Sequence, residues 1–189
     1  DIEVVNYDTA TVKIYTNISM RGAINGADLV LSSSFSAGNG PKDLAIADID
    51  GDGTNDLVVV EESAGNLAVY RNASTNPLAR LEFAASVNTA VGGGPRSVAI
   101  ADVTGDGRPE LITANGSANT ISIVQNSSLP GSILVNLATN YAVGNGPLRV
   151  VIGDVTGDGK QEITSINAAG ISVLENLQPG TGVEFEARV

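Results

Sequence analysis

The sequence predicts an all-β fold, a β-propeller built of four-stranded antiparallel blades. Three observations predict it. A unit of about 53 residues recurs along the chain. Inside each unit the apolar residues fall in short alternating runs separated by Gly, Asn, Asp and Ser. Each complete unit also sets an Asp/Gly-rich loop between its first two strands.

Gly-x-Gly-Pro tetrads set the frame. Gly38-Asn39-Gly40-Pro41, Gly92-Gly93-Gly94-Pro95 and Gly144-Asn145-Gly146-Pro147 recur at spacings of 54 and 52 residues. Each leads into a first strand in which large and small residues alternate, at 44–48, 98–102 and 150–154, the pattern of a half-buried strand. The Asp/Gly loop follows. A second strand comes next, at 57–60, 111–114 and 163–166. A small polar turn leads to a third, at 67–70, 121–124 and 171–174, which runs out each time at an Asn: Asn72, Asn126 and Asn176. A fourth strand is expected near 81–87, 133–141 and 183–189.

The opening residues fit the same frame. Residues 1–5 read as a second strand, 12–15 as a third running out at Asn17, and 29–35 as a fourth. Asp1 falls where Asp56, Glu110 and Glu162 fall. The expectation is one propeller region over 1–189: a partial blade at 1–37 lacking its innermost strand, then blades at 38–90, 91–142 and 143–189. That makes fifteen strands and about four blades. Such a unit cannot bury both sheet faces alone, and radial stacking buries them. A β-sandwich would not require the same unit every 52 to 54 residues.

Composition narrows the function classes. The 189 residues are 42% hydrophobic, enough for one substantial core. Net charge is −11 with no basic footprint, which argues against a nucleic-acid partner. There is no His and no Cys, which excludes disulfides, imidazole or thiolate metal sites and any triad built on imidazole. No apolar run approaches the roughly 18 residues of a membrane span. The chain begins at Asp1 rather than Met, so a processed or trimmed piece of a longer protein is expected.

The loops carry the chemistry. Calcium takes six to eight oxygen ligands at roughly 2.3–2.6 Å. Side chains at positions 1, 3 and 5 of a tight loop can converge on one point. Position 7 offers a backbone carbonyl, and an acid at position 9 closes the cage. Loop one supplies Asp48, Asp50, Asp52, the Thr54 carbonyl and Asp56. Loop two supplies Asp102, Thr104, Asp106, the Arg108 carbonyl and Glu110. Loop three supplies Asp154, Thr156, Asp158, the Lys160 carbonyl and Glu162. The glycines between the acids permit backbone angles that a Cβ resists. An EF-hand also needs Glu at position 12 and flanking helices. Position 12 here holds Val59, Thr113 and Ser165, and the flanks are strands. The plain alternative is an Asp-Gly hairpin turn. Three such loops in register favour calcium, about three ions in all, over magnesium with its small octahedral shell.

The succession of Gly-x-Gly-Pro, the strand and loop from Val98 to Leu111, and Ile121-Ser122-Ile123-Val124-Gln125-Asn126 resembles the FG-GAP/VCBS repeats of integrin α-subunit propellers and many bacterial secreted proteins. The resemblance implies a seven- or eight-bladed ring with calcium between the first two strands of a blade. Thr104 and Thr156 depart from the Asp expected at position 3.

Asn-x-Ser sequons at Asn17, Asn72, Asn115 and Asn126 read better as turn formers than as glycosylation sites, because three share one repeat position. Phe35, Phe83, Tyr141 and Phe185 sit on predicted fourth strands and are expected to pack between blades. The functional expectation is a secreted or cell-surface calcium-binding scaffold for recognition or adhesion, not an enzyme. It would present a propeller face to a protein or glycan ligand. Self-association, or association with missing blades, would cover its open ends. The alternatives are a calcium-dependent lectin, against which the lack of Trp counts, or the propeller part of a polysaccharide-active enzyme such as a lyase.

Overall fold

The computed structural model of the chain describes residues 1–19, 25–75, 81–177 and 184–188. Among them it holds fifteen strands and no helix. The strands form four antiparallel sheets, each an up-and-down meander, as propeller blades require. Blade one is β1 (Ile2–Asn6), β2 (Thr11–Asn17) and β3 (Leu29–Ser36). Blade two is β4 (Pro41–Ala47), β5 (Asp56–Glu61), β6 (Asn66–Tyr70) and β7 (Val87–Ala90). Blade three is β8 (Pro95–Ala101), β9 (Glu110–Asn115), β10 (Thr120–Val124) and β11 (Thr139–Ala142). Blade four is β12 (Arg149–Gly153), β13 (Glu162–Asn167), β14 (Gly170–Asn176) and β15 (Phe185–Arg188). Of the fourth strand expected at 183–189, residues 183 and 189 lie outside the described residues.

The hydrophobic core lies between blades. Val12 and Ile14 of blade one meet Leu57, Val59 and Ala68 of blade two. Ile49, Val58, Val60, Leu67 and Val69 on the other face of blade two meet Leu111 and Val124 of blade three. Val103, Ile112, Ile121 and Ile123 then meet Val150, Ile163, Leu174 and Phe185 of blade four. Alternate residues of one strand therefore serve two different cores, which explains why Leu57–Val60 of β5 is apolar at every position rather than at every other. Backbone amides add ties near the innermost strands: the Val98 N–H donates to Asp43 Oδ2 (3.0 Å), and the Val150 N–H to Ser97 Oγ (2.9 Å).

Blade four breaks the pattern on its far side. Ile171 is 63% exposed, whereas its equivalents Leu67 and Ile121 are 0% exposed. Val155 is 62% exposed, against 2% for Ile49 and 3% for Val103. Ile2 and Val4 on the opposite face of blade one are exposed too. The expected aromatic packing is present: Phe35 lies 5.1 Å from Tyr70 and 5.2 Å from Phe83, and Tyr141 lies 5.8 Å from Phe185.

The fourth strands of blades two and three differ from expectation. They are short and late, Val87–Ala90 and Thr139–Ala142. Upstream, the chain touches its neighbour through single bridges, Asn72 with Phe83 and Asn126 with Val135. Leu81, Phe83, Ile133 and Val135 are apolar because they pack into the cores between blades. Their alternation reports that packing rather than a continuous ladder.

Candidate metal centres

Each Asp/Gly loop spans the gap between the first and second strands of its blade. The first strand stops one residue before the position-1 Asp, and the second begins at the position-9 acid. The position-9 acid is thus held on a rigid element while positions 1 to 8 form the turn. Two glycines in each loop take left-handed angles: Gly51 and Gly53 (φ 75° and 88°), Gly105 and Gly107 (75° and 85°), and Gly157 and Gly159 (80° and 88°). A β-carbon is disfavoured there, so the Gly spacing follows from the turn geometry.

The position-1 carboxylates organise the turns. Asp48 accepts the N–H groups of Gly51 (2.8 Å), Asp52 (3.1 Å) and Gly53 (2.9 Å). Asp102 accepts those of Gly105 (2.7 Å) and Gly107 (2.8 Å), and Asp154 those of Gly157 (2.6 Å) and Gly159 (3.0 Å). The position-9 acids reach back under the loop. Asp56 accepts from the Ile49 N–H (3.0 Å), Glu110 from Val103 (3.1 Å), and Glu162 from Val155 (2.9 Å) and Thr156 (3.1 Å). All three are withdrawn from water, and burial raises the Asp56 carboxyl above its ordinary value and pushes Glu110 up to about 7.

The position-5 acids behave differently. Thr54 bonds Asp52 Oδ1 through its hydroxyl (2.6 Å) and its N–H (2.8 Å), and with Arg71 nearby this lowers the Asp52 carboxyl. The Lys160 N–H does the same for Asp158. A cationic side chain stands by each: Arg71 at 3.6 Å from Asp52, Arg108 at 3.9 Å from Asp106, and Lys160 at 3.6 Å from Asp158. Sequence reasoning assigned Thr54, Arg108 and Lys160 only a carbonyl. Here their N–H groups and side chains also set the direction of the position-5 carboxylate.

Two loops draw three carboxylates together. Asp48, Asp50 and Asp56 offer oxygens all within 4.8 Å of one another, as do Asp154, Asp158 and Glu162. Among the described residues Glu162 Oε1 is the one buried side-chain polar atom without a hydrogen-bond partner. That oxygen belongs to the three-acid group of loop three, where a cation would satisfy it. The donor set is all oxygen and suits a hard cation. Asp52 stands outside the loop-one group, and among the described residues no such three-acid group forms at loop two. Thr104 and Asp102 bond each other (3.4 Å between Oγ1 and Oδ1), and Thr156 donates its N–H to Glu162.

Three residues missed by sequence reasoning act on loops from a neighbouring blade. The Asn126 amide donates to the Ile49 carbonyl (2.8 Å), the Gly131 N–H to Asp50 Oδ2 (2.9 Å), and the Asn176 amide to the Val103 carbonyl (3.0 Å). The recurrence of Asn at the end of the third strand was the available signal. Its turn role is also real: the Asn17, Asn72 and Asn126 side chains accept from Ser19, Ser74 and Ser128.

Stacked antiparallel meanders, three of them with an Asp/Gly loop between the first and second strands, define a propeller-type scaffold. A family model described as FG-GAP-like repeat matches residues 48–113, from the first acid of loop one through loop two into β9. This stretch carries FG-GAP-like repeat sequence, in agreement with the motifs that suggested it. No curated protein matches the chain.

Proposed function

We propose that the chain is a calcium-binding propeller scaffold, secreted or at the cell surface, that serves recognition or adhesion rather than catalysis. The observation that carries the calcium reading is the convergence of Asp48, Asp50 and Asp56, repeated by Asp154, Asp158 and Glu162. In loop two the same role falls to Asp102, Thr104, Asp106 and Glu110, with the position-5 side chain swinging from Arg108 toward the loop centre. The ion would supply a fixed positive centre that offsets repulsion among the acids and pins each hairpin. Glu110 and Glu162 hold the strand side of the cage, while Asp102 and Asp154 order the turn around it.

Rigid loops suit a surface that presents side chains to a protein or glycan. Phe35, Tyr70 and Phe83 pack on one another between blades and together line a cavity with Ser33, Leu81 and Glu82. Calorimetric titration of the chelator-stripped chain should show uptake at each loop, with dissociation constants of roughly 10⁻⁵ to 10⁻³ M. Absence of uptake at millimolar calcium would refute the reading. A glycan array on the calcium-loaded chain separates the lectin alternative from a protein-binding scaffold.

A further inference from the structure

We propose that Asn126 and Asn176 are positioning residues for the metal loop of the blade preceding their own, so that the sites of loops one and two are each built across two blades. This rests on the calcium reading above. Residue two of a loop lies between the ligands at positions 1 and 3, so its placement helps set theirs. In loops one and two that residue is anchored twice by the following blade. Its side chain, Ile49 or Val103, is sunk in the core between blades. Its carbonyl accepts a buried side-chain amide, from Asn126 at 2.8 Å or Asn176 at 3.0 Å. Loop one has a third anchor, the Gly131 N–H on the ligand oxygen Asp50 Oδ2.

The same asparagines touch their own loops. The Asn126 backbone N–H donates to Glu110, the closing acid of loop two. The Asn176 amide also donates to the Gln161 carbonyl (3.2 Å), next to Glu162. Each asparagine thus contacts two successive loops. Loop three lacks this support among the described residues, and its Val155 stands in solvent. Preorganised ligands bind tightly because less ordering accompanies binding, and outer partners of metal ligands typically change affinity 10–100-fold.

Hydrogen exchange read by mass spectrometry, with calcium titrated into the stripped chain, resolves the three loops separately. Asn126→Ser keeps a turn-forming side chain but cannot span to Ile49. It should move the calcium midpoint for protection of 48–56 to roughly tenfold higher concentration and leave 154–162 unchanged. Asn176→Ser should do the same to 102–110, and carries the test alone if the first variant does not fold. Unchanged midpoints, or an equal shift of all three loops, would overturn the proposal by reducing both residues to general packing. A wild-type chain with no calcium-dependent protection in any loop would instead remove the calcium reading itself, and this inference with it.

Discussion

Glu110 shows how one residue's surroundings set its chemistry. It is buried and held by the Val103 N–H, and burial carries its carboxyl from 4.5 to about 7. Without a cation, the folded chain keeps this proton at pH values where the unfolded chain has lost it. Its contribution to stability is therefore present below 4.5 and is lost as pH rises through about 7. In chelator, Glu110→Gln should flatten the fall in urea midpoint between about pH 5 and 8; equal slopes for variant and wild type would contradict this. Calcium uptake at loop two should rise over the same interval, because the ion favours the charged form. Asp50 carries a second expectation. Asp50→Thr gives loop one the Asp-Thr-Asp set of loops two and three at positions 1, 3 and 5, and also removes the acceptor for Gly131. Its loop-one affinity should fall to the level of the others or below, and an unchanged titration would refute the ranking by charge. The acids themselves were legible in the sequence because their spacing is local. Arg71 and Asn126 were not, because they reach their loops from another strand or another blade.

The loop and its two strands form a single element, and its glycines belong to that scale. Gly53 sits at φ 88°, with no neighbouring atom within 4 Å of where a β-carbon would stand. Gly53→Ala should therefore cost about 1–2 kcal/mol from backbone strain alone, read as a shift of the urea midpoint in chelator. The Asn-x-Ser segments are elements of the same kind. In blades two and three the Asn side chain caps the turn, and the Ser hydroxyl accepts the N–H of Glu82 or Leu134, splicing the third strand to the chain leading into the fourth. The turn reading therefore has a structural account, and burial of Asn115 and Asn126 places both away from the surface of the folded chain. The first three strands of each blade were readable because each is a short apolar-rich run bounded by Gly, Asn, Asp or Ser and recurring at the repeat spacing. The fourth strands were not, because there the apolar alternation serves the neighbouring blade.

At the scale of the whole molecule, stability is a sum over blade interfaces, as in other repeat architectures. Calcium held by the folded chain should raise its melting temperature by mass action, and chelation should lower it. The exposed Val151, Val155, Ile166 and Ile171 line the side of blade four whose equivalents in blades two and three are mostly covered by the next blade. An apolar face of this kind favours association. Light scattering of this chain should show species heavier than one copy. The double variant Ile166→Ser, Ile171→Ser should shift the distribution toward one chain mass, and a wild-type chain already monodisperse at that mass would defeat the expectation.

The sequence by itself determined the repeat, the order of strands, the turn glycines and the acids of each loop. The glycines, acids and strand runs are properties of neighbours within about ten residues, where spacing and backbone sterics decide, and the repeat is their recurrence every 52 to 54 residues. Only the tertiary structure decided which faces meet and which stay exposed. It also showed that loops one and two are clasped from the next blade. Those outcomes depend on contacts such as Asn126 with Ile49 and Asn176 with Val103, 77 and 73 residues apart. A local pattern reports that an asparagine recurs, but the carbonyl it reaches is set by how one sheet stacks on another.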